Sequence, residues 1–105
     1  MTGAEQKTAK LLAALWVKNL PLVKERLTML DRAAEAAAAA HLDEALREAA
    51  AGGAHKLAGS LGMYGYDEGT RIARELEVTL GAANPDAARL SGLIAGLRAA
   101  IFPSA

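Results

Sequence analysis

Apolar residues recur at intervals of three and four along most of this chain, which is the spacing of one face of an α-helix. In the first third of the sequence the spacing is kept by Leu12, Trp16, Leu20, Val23, Leu27, Leu30 and Ala34. The register passes through Pro21, so two interpretations remain open. One is a single long helix kinked at the proline, which the unbroken register slightly favours. The other is a short N-terminal helix that ends near Asn19.

The sequence predicts three further helices. We expect a first turn near residues 39–41 and a second helix from about Leu42 to Tyr64, capped by Gly65. A third helix is expected over 67–80 and a fourth over about 86–101. Short connections make sequential helices antiparallel. The predicted fold is therefore all-α, an antiparallel up-and-down four-helix bundle, with an extra short N-terminal helix if Pro21 breaks the first one.

Composition restricts both organisation and function. The chain has 105 residues, 52% of them hydrophobic, which suits one domain over residues 1–105, either standing alone or excised from a longer chain. Twelve basic and twelve acidic residues give no net charge, which argues against nucleic-acid or membrane-surface binding. The absence of cysteine excludes thiolate chemistry. Without a signal-peptide pattern or an apolar run of membrane length, we expect a cytoplasmic protein.

The segment around His55 stands out because the residues that share its helical face are almost all glycine or alanine. At 100° per residue, Gly59 and Gly62 lie within about 40° of His55. Within about 60° lie Ala51, Gly52 and Ala58. The opposite side carries an apolar stripe that we expect to face the core: Leu42, Leu46, Ala49, Ala50, Gly53, Leu57, Leu61 and Tyr64.

Glycine in a helix interior costs about 0.5–1 kcal/mol relative to alanine, and packing does not require it on a solvated face. We therefore predict that His55 points to solvent from a bare surface that serves a function. An imidazole that is largely neutral near neutral pH is a competent nucleophile and can accept a phosphoryl group. An ordinary solvated histidine is the simpler alternative.

Other chemistry has little support in the sequence. No catalytic triad accompanies His55, and His41 lies four helical turns away, too far to share one metal ion. We interpret His41 as a solvated residue at a helix start. Lys56 is either a solvated charge or electrostatic support for a phosphoryl group. Glu48, two turns before His55 on the same face, is either a solubilising charge or part of a docking surface. Gly59 and Gly62 could instead mark close helix packing, although Gly53 fits that role better.

From Ala54 onward the sequence AHKLAGSLGMYGYDEGTRIARELE resembles the signature of the histidine-containing phosphotransfer (HPt) domain. That signature is His-x-hydrophobic-Lys-Gly, a second glycine six residues later, and an apolar helix ending in Leu-Glu. The residues in register are His55, Leu57, Gly59, Gly65, Ile72, Ala73, Leu76 and Glu77. Two positions depart from it: Ala58 replaces the usual lysine, and Gly69 replaces a leucine, which is expected to loosen the start of the third helix.

The resemblance implies a non-catalytic phosphoryl carrier in a phosphorelay. His55 would be the phosphoacceptor, supported by Lys56, Gly59 and Gly62, with docking residues Glu48, Ala51, Gly52 and Ala58. The implied partners are receiver domains, a sensor histidine kinase, or both, with Mg²⁺ on the receiver and no cofactor on this chain. We expect a monomer.

Two alternatives stay open. The first is a phosphorylation-independent helical adaptor, which the loss of the lysine at Ala58 suggests. The second is a substrate module phosphorylated directly from ATP by a separate kinase domain of the chemotaxis type.

Overall fold

The computed structural model describes residues 3–103, which form four α-helices. They are α1 (Gly3–Ala38), α2 (Glu44–Met63), α3 (Asp67–Leu80) and α4 (Ala87–Ile101). The contacting pairs are α1 with α2, α2 with α3, α3 with α4, and α4 with α1. The helices therefore form a closed four-helix bundle, as the sequence predicted. None of the four is long and apolar enough to cross a membrane.

Pro21 lies inside α1, and the helix continues through it. The long-helix interpretation is therefore correct, and no separate N-terminal helix forms. Proline has no N–H to offer the carbonyl of Val17, but the apolar register on both sides of it is preserved. Because α1 has 36 residues and α2 has 20, the first turns of α1 extend beyond the rest of the bundle.

The helix ends follow ordinary capping chemistry. Asp43 accepts a hydrogen bond from the N–H of Leu46 at 2.8 Å, so α2 starts two residues later than predicted. Asp86 is likewise the N-cap of α4. At the end of α2, Gly65 has φ +84°, and the N–H of Tyr66 donates to the carbonyl of Leu61. This is a Schellman motif, and it confirms the cap that glycine predicted.

The core is aliphatic and contains no buried charge among the described residues. It is formed by Val23, Leu27, Leu30, Ala33, Ala34, Ala50, Ala54, Leu57, Ala58, Leu61, Ile72, Ala73, Leu76, Leu80, Leu90, Ile94, Leu97 and Ile101. At one end of the bundle Trp16 stacks obliquely on Tyr64 and Tyr66. This cluster ties α1 to the turn between α2 and α3.

Close packing of α2 and α3 uses Gly69 in the first turn of α3. A Cβ on this residue would lie 3.2 Å from Cδ1 of Leu61. The glycine is buried within a formed helix, so α3 begins at the place where a looser start is expected. Its missing side chain lets the two helices approach each other beneath the segment that carries His55.

Candidate phosphoacceptor site

His55 lies in the middle of α2, and 73% of its side chain is exposed. The predicted exposure is confirmed, but the predicted direction needs correction. The buried residues of α2 span an arc centred about 120° from His55 rather than opposite it. They are Ala50, Ala54, Leu57, Ala58 and Leu61. Since α2 packs on both α1 and α3, its buried arc is wide, and His55 lies at the edge next to α3.

Glu77 of α3 holds the imidazole from one side. Its Oε2 lies 2.9 Å from Nδ1 of His55. An ionised carboxylate only accepts hydrogen bonds, so Nδ1 carries the proton in this pairing. In the neutral imidazole Nε2 is then the unprotonated nitrogen, with its lone pair available. The contact sets both the tautomer and the orientation of the ring.

The surface around His55 is open over two glycines. A Cβ built on Gly52 or on Gly59 would meet no other atom within 4 Å. Gly59 is one helical turn from His55 toward the C-terminus, and Gly52 is nearly one turn toward the N-terminus. A partner surface can therefore approach the imidazole from both directions along α2.

A family model described as Hpt domain matches residues 10–101. The chain belongs to the Hpt domain family. This membership implies a histidine-containing phosphotransfer carrier that works with receiver domains and histidine kinases in phosphorelays. Searches of curated proteins and of solved structures found no significant match.

In this Hpt domain, two residues predicted to line the docking surface are less exposed than expected. Ala58 is only 6% exposed and belongs to the core. Ala51 is half-buried and packs against the core. The apolar stripe was also misplaced at Ala49, which is exposed, and it omitted Ala54, which is fully buried. The unexpected burial of Ala51, Ala54 and Ala58 has one cause: the stripe assumed burial against one neighbouring helix, whereas α2 lies between two.

The other predicted residues lie on the exposed part of α2. Glu48, Gly52, Lys56, Gly59 and Gly62 are all exposed. The direction of Lys56 is about 100° around the helix from His55 and away from α3. Within residues 3–103, the Lys56 ammonium makes no hydrogen bond or ion pair.

Gly62 serves packing as well as access. A Cβ there would lie 3.3 Å from Oγ1 of Thr70, a tight contact. That hydroxyl donates a hydrogen bond to the carbonyl of Ala58 at 3.1 Å. A Cβ on Gly53, by contrast, would be 3.9 Å from Arg26, an ordinary distance. The closer helix approach therefore occurs at Gly62, not at Gly53 as predicted.

Glu77 is the site residue whose role the sequence analysis missed. It was counted only as part of the family signature, with no contact assigned to it. The pairing joins residues 22 positions apart across the α2–α3 hairpin. The sequence held one clue, because Glu77 falls in the family register. The contact between Glu77 and His55 depends, however, on how α2 and α3 are aligned, which the register does not give.

Among residues 3–103, no group of three or more histidine, aspartate or glutamate side chains is arranged to hold a metal ion. His41 is exposed and lies ahead of the N-cap of α2.

Proposed function

We propose that this Hpt domain carries a phosphoryl group on Nε2 of His55, accepting it from the aspartyl phosphate of one receiver domain and passing it to another. The observation that carries this proposal is the pairing of Nδ1 with Glu77. It leaves the lone pair of Nε2 unengaged, on an imidazole that is 73% exposed and lies between two open glycines.

Phosphoryl transfer to Nε2 needs no base at that atom, because the proton of the neutral imidazole is on Nδ1. The Nε2 lone pair attacks phosphorus, the N–P bond forms, and the bond from phosphorus to the aspartyl oxygen breaks. The aspartate leaves as a carboxylate, and the proton on Nδ1 stays in place. The imidazole ring becomes more positive as the bond forms, and the Glu77 carboxylate stabilises that charge at 2.9 Å. Return transfer reverses each step.

The receiver domain is expected to supply the rest of the machinery, including its Mg²⁺. In-line transfer requires the attacking nitrogen to lie about 3–3.5 Å from the phosphorus atom. Such proximity requires two surfaces with little projecting between them, which the glycines at 52 and 59 provide. The interface is expected to be small and transient, as suits a carrier that serves two partners.

The test uses receiver domains phosphorylated with labelled acetyl phosphate and incubated with this protein and Mg²⁺. We expect a label on the protein that is labile in acid and stable in base. His55→Gln should reduce the label to background, whereas His41→Gln, the matched control, should label like the parent. If His55→Gln labels as well as the parent, the proposal is wrong.

The same experiment separates a carrier from an adaptor. If the protein is an adaptor, the parent and His55→Ala bind the partner equally well, and neither takes label from any receiver. That pair of results would replace the carrier proposal with the adaptor hypothesis. Labelling by a kinase domain with ATP, but by no receiver, would instead indicate a kinase substrate module.

The role of Glu77 yields a separate prediction. Glu77→Ala should lower the transfer rate about tenfold, because Nδ1 loses the group that fixes its proton and offsets its charge. Glu77→Gln keeps an acceptor oxygen and should lower the rate less. The ¹⁵N resonances of the His55 ring should show mainly the Nδ1-protonated tautomer in the parent and a mixture in Glu77→Ala. Unchanged tautomer populations would contradict the assigned role.

A further inference from the structure

A phosphoryl group on His55 would bring a doubly negative charge to the α2–α3 edge, and α2 presents no lysine at that edge. The position that carries the family's usual lysine is Ala58, whose methyl group is in the core. Lys56 is on α2, but its side chain leaves the helix about 100° from that of His55, on the side away from α3. A cation for the phosphoryl group, if this chain supplies one, therefore has to come from α3.

Arg74 occupies the right position on α3. It follows Thr70 by four residues and precedes Glu77 by three, so the three side chains share one side of the helix. Thr70 contacts the carbonyl of Ala58, and Glu77 contacts the ring of His55. The two flanking residues thus both contact α2, which places Arg74 across from the turn of α2 that contains Gly59.

No side chain on α2 blocks that path. A Cβ on Gly59 would find nothing within 4 Å, so the space above it is empty. Neighbouring helices pack with their axes about 8–10 Å apart. A long arginine side chain on α3 can cross such a gap over a glycine and reach the nitrogen one turn away.

The other arginines near this edge are engaged elsewhere. Arg71 bonds to both Glu68 and Glu75, and its bond to Glu68 raises the pKa of Arg71 above the ordinary value. Nη2 of Arg89 lies 3.5 Å from Oε2 of Glu75. The guanidinium of Arg74, by contrast, makes no hydrogen bond or ion pair within residues 3–103. Together with Val78, Thr79 and Arg89 it lines a shallow depression on the side of α3 next to α4, where no partner holds it.

We propose that Arg74 binds the phosphoryl group of phosphorylated His55 across Gly59, replacing from α3 the cation that Ala58 lacks on α2. The inference rests on the proposed function. The planar guanidinium donates two parallel hydrogen bonds to phosphoryl oxygens, a geometry that a lysine ammonium cannot match. In the unphosphorylated domain the side chain has no such partner.

The test uses the intact protein phosphorylated with phosphoramidate, a small donor that needs no receiver. On phosphorylation, the Nε–H resonance of Arg74 should shift, while that of Arg71 should not. Arg74→Gln should hydrolyse its phosphohistidine about threefold to tenfold faster than the parent. Arg74→Lys should fall between them, and Arg71→Gln, the matched control on the same helix, should behave as the parent does.

Each outcome has a distinct meaning. If phosphohistidine forms but the Arg74 resonance and the hydrolysis rate of Arg74→Gln are unchanged, this inference is overturned and the carrier function stands. If Arg71→Gln accelerates hydrolysis as much as Arg74→Gln does, the effect is a general loss of charge, and the specific contact is refuted. If His55 takes no phosphoryl group in any variant, the carrier proposal itself fails.

Discussion

Replacing Gly59 with leucine is expected to lower the rate of phosphoryl transfer from a receiver at least about 100-fold while the fold stays intact. The side chain would project one turn from His55, where space is now empty. A partner held back by even about 1 Å loses about two orders of magnitude in rate. The stability of the protein should not fall, because leucine is about 0.8 kcal/mol better than glycine in a helix interior.

Gly92 provides the matched control for this substitution. It lies in α4, it is exposed, and a Cβ there would also meet nothing within 4 Å. Gly92→Leu should gain the same helix propensity and transfer at the parent's rate. Chemical labelling with phosphoramidate should remain within about threefold of the parent in Gly59→Leu, because a small donor needs less room. Equal receiver transfer by Gly59→Leu and the parent would show that the bare surface is not a docking surface.

The second large effect concerns stability. Leu57 is fully buried two residues from His55, on the core side of α2. Leu57→Ala should lower the free energy of unfolding by about 2–5 kcal/mol, since it removes buried methyl groups and leaves a cavity among other aliphatic side chains. The measurement is urea unfolding followed by circular dichroism, with the slope checked for two-state behaviour.

Val78→Ala is the control for that measurement. Val78 lies on α3 with 78% of its surface exposed. Truncating it should change the free energy of unfolding by less than about 0.5 kcal/mol. A loss of under about 1 kcal/mol for Leu57→Ala would contradict the core described here, because it would mean that α2 packs more loosely than its burial indicates.

Much of the fold was predictable because local signals decided it. The spacing of apolar residues located all four helices, and Gly65 marked the end of α2 through the backbone conformation that it alone adopts easily. Pro21 left the sequence ambiguous, since a proline can start a helix or sit within one. The apolar register across it favoured the continuous helix that forms.

The site was harder to predict because it depends on the alignment of two helices. A helical wheel correctly predicted that His55 is exposed to solvent. It assumed, however, that α2 packs against only one other helix. The second neighbour, α3, buries Ala58 and brings Glu77 to the imidazole. Neither of these relations follows from the spacing along either helix alone, since each depends on how far one helix is shifted against the other.

The position of the phosphoryl group on the phosphorylated protein tests the central claim most directly. The measurement is ¹H–¹⁵N correlation of the histidine side chains after transfer from a phosphorylated receiver, with His55→Gln and His41→Gln as references. The account predicts phosphorus bonded to Nε2 of His55, with the proton still on Nδ1 beside Glu77. Phosphorus on Nδ1 of His55, on His41, or on no histidine would contradict it.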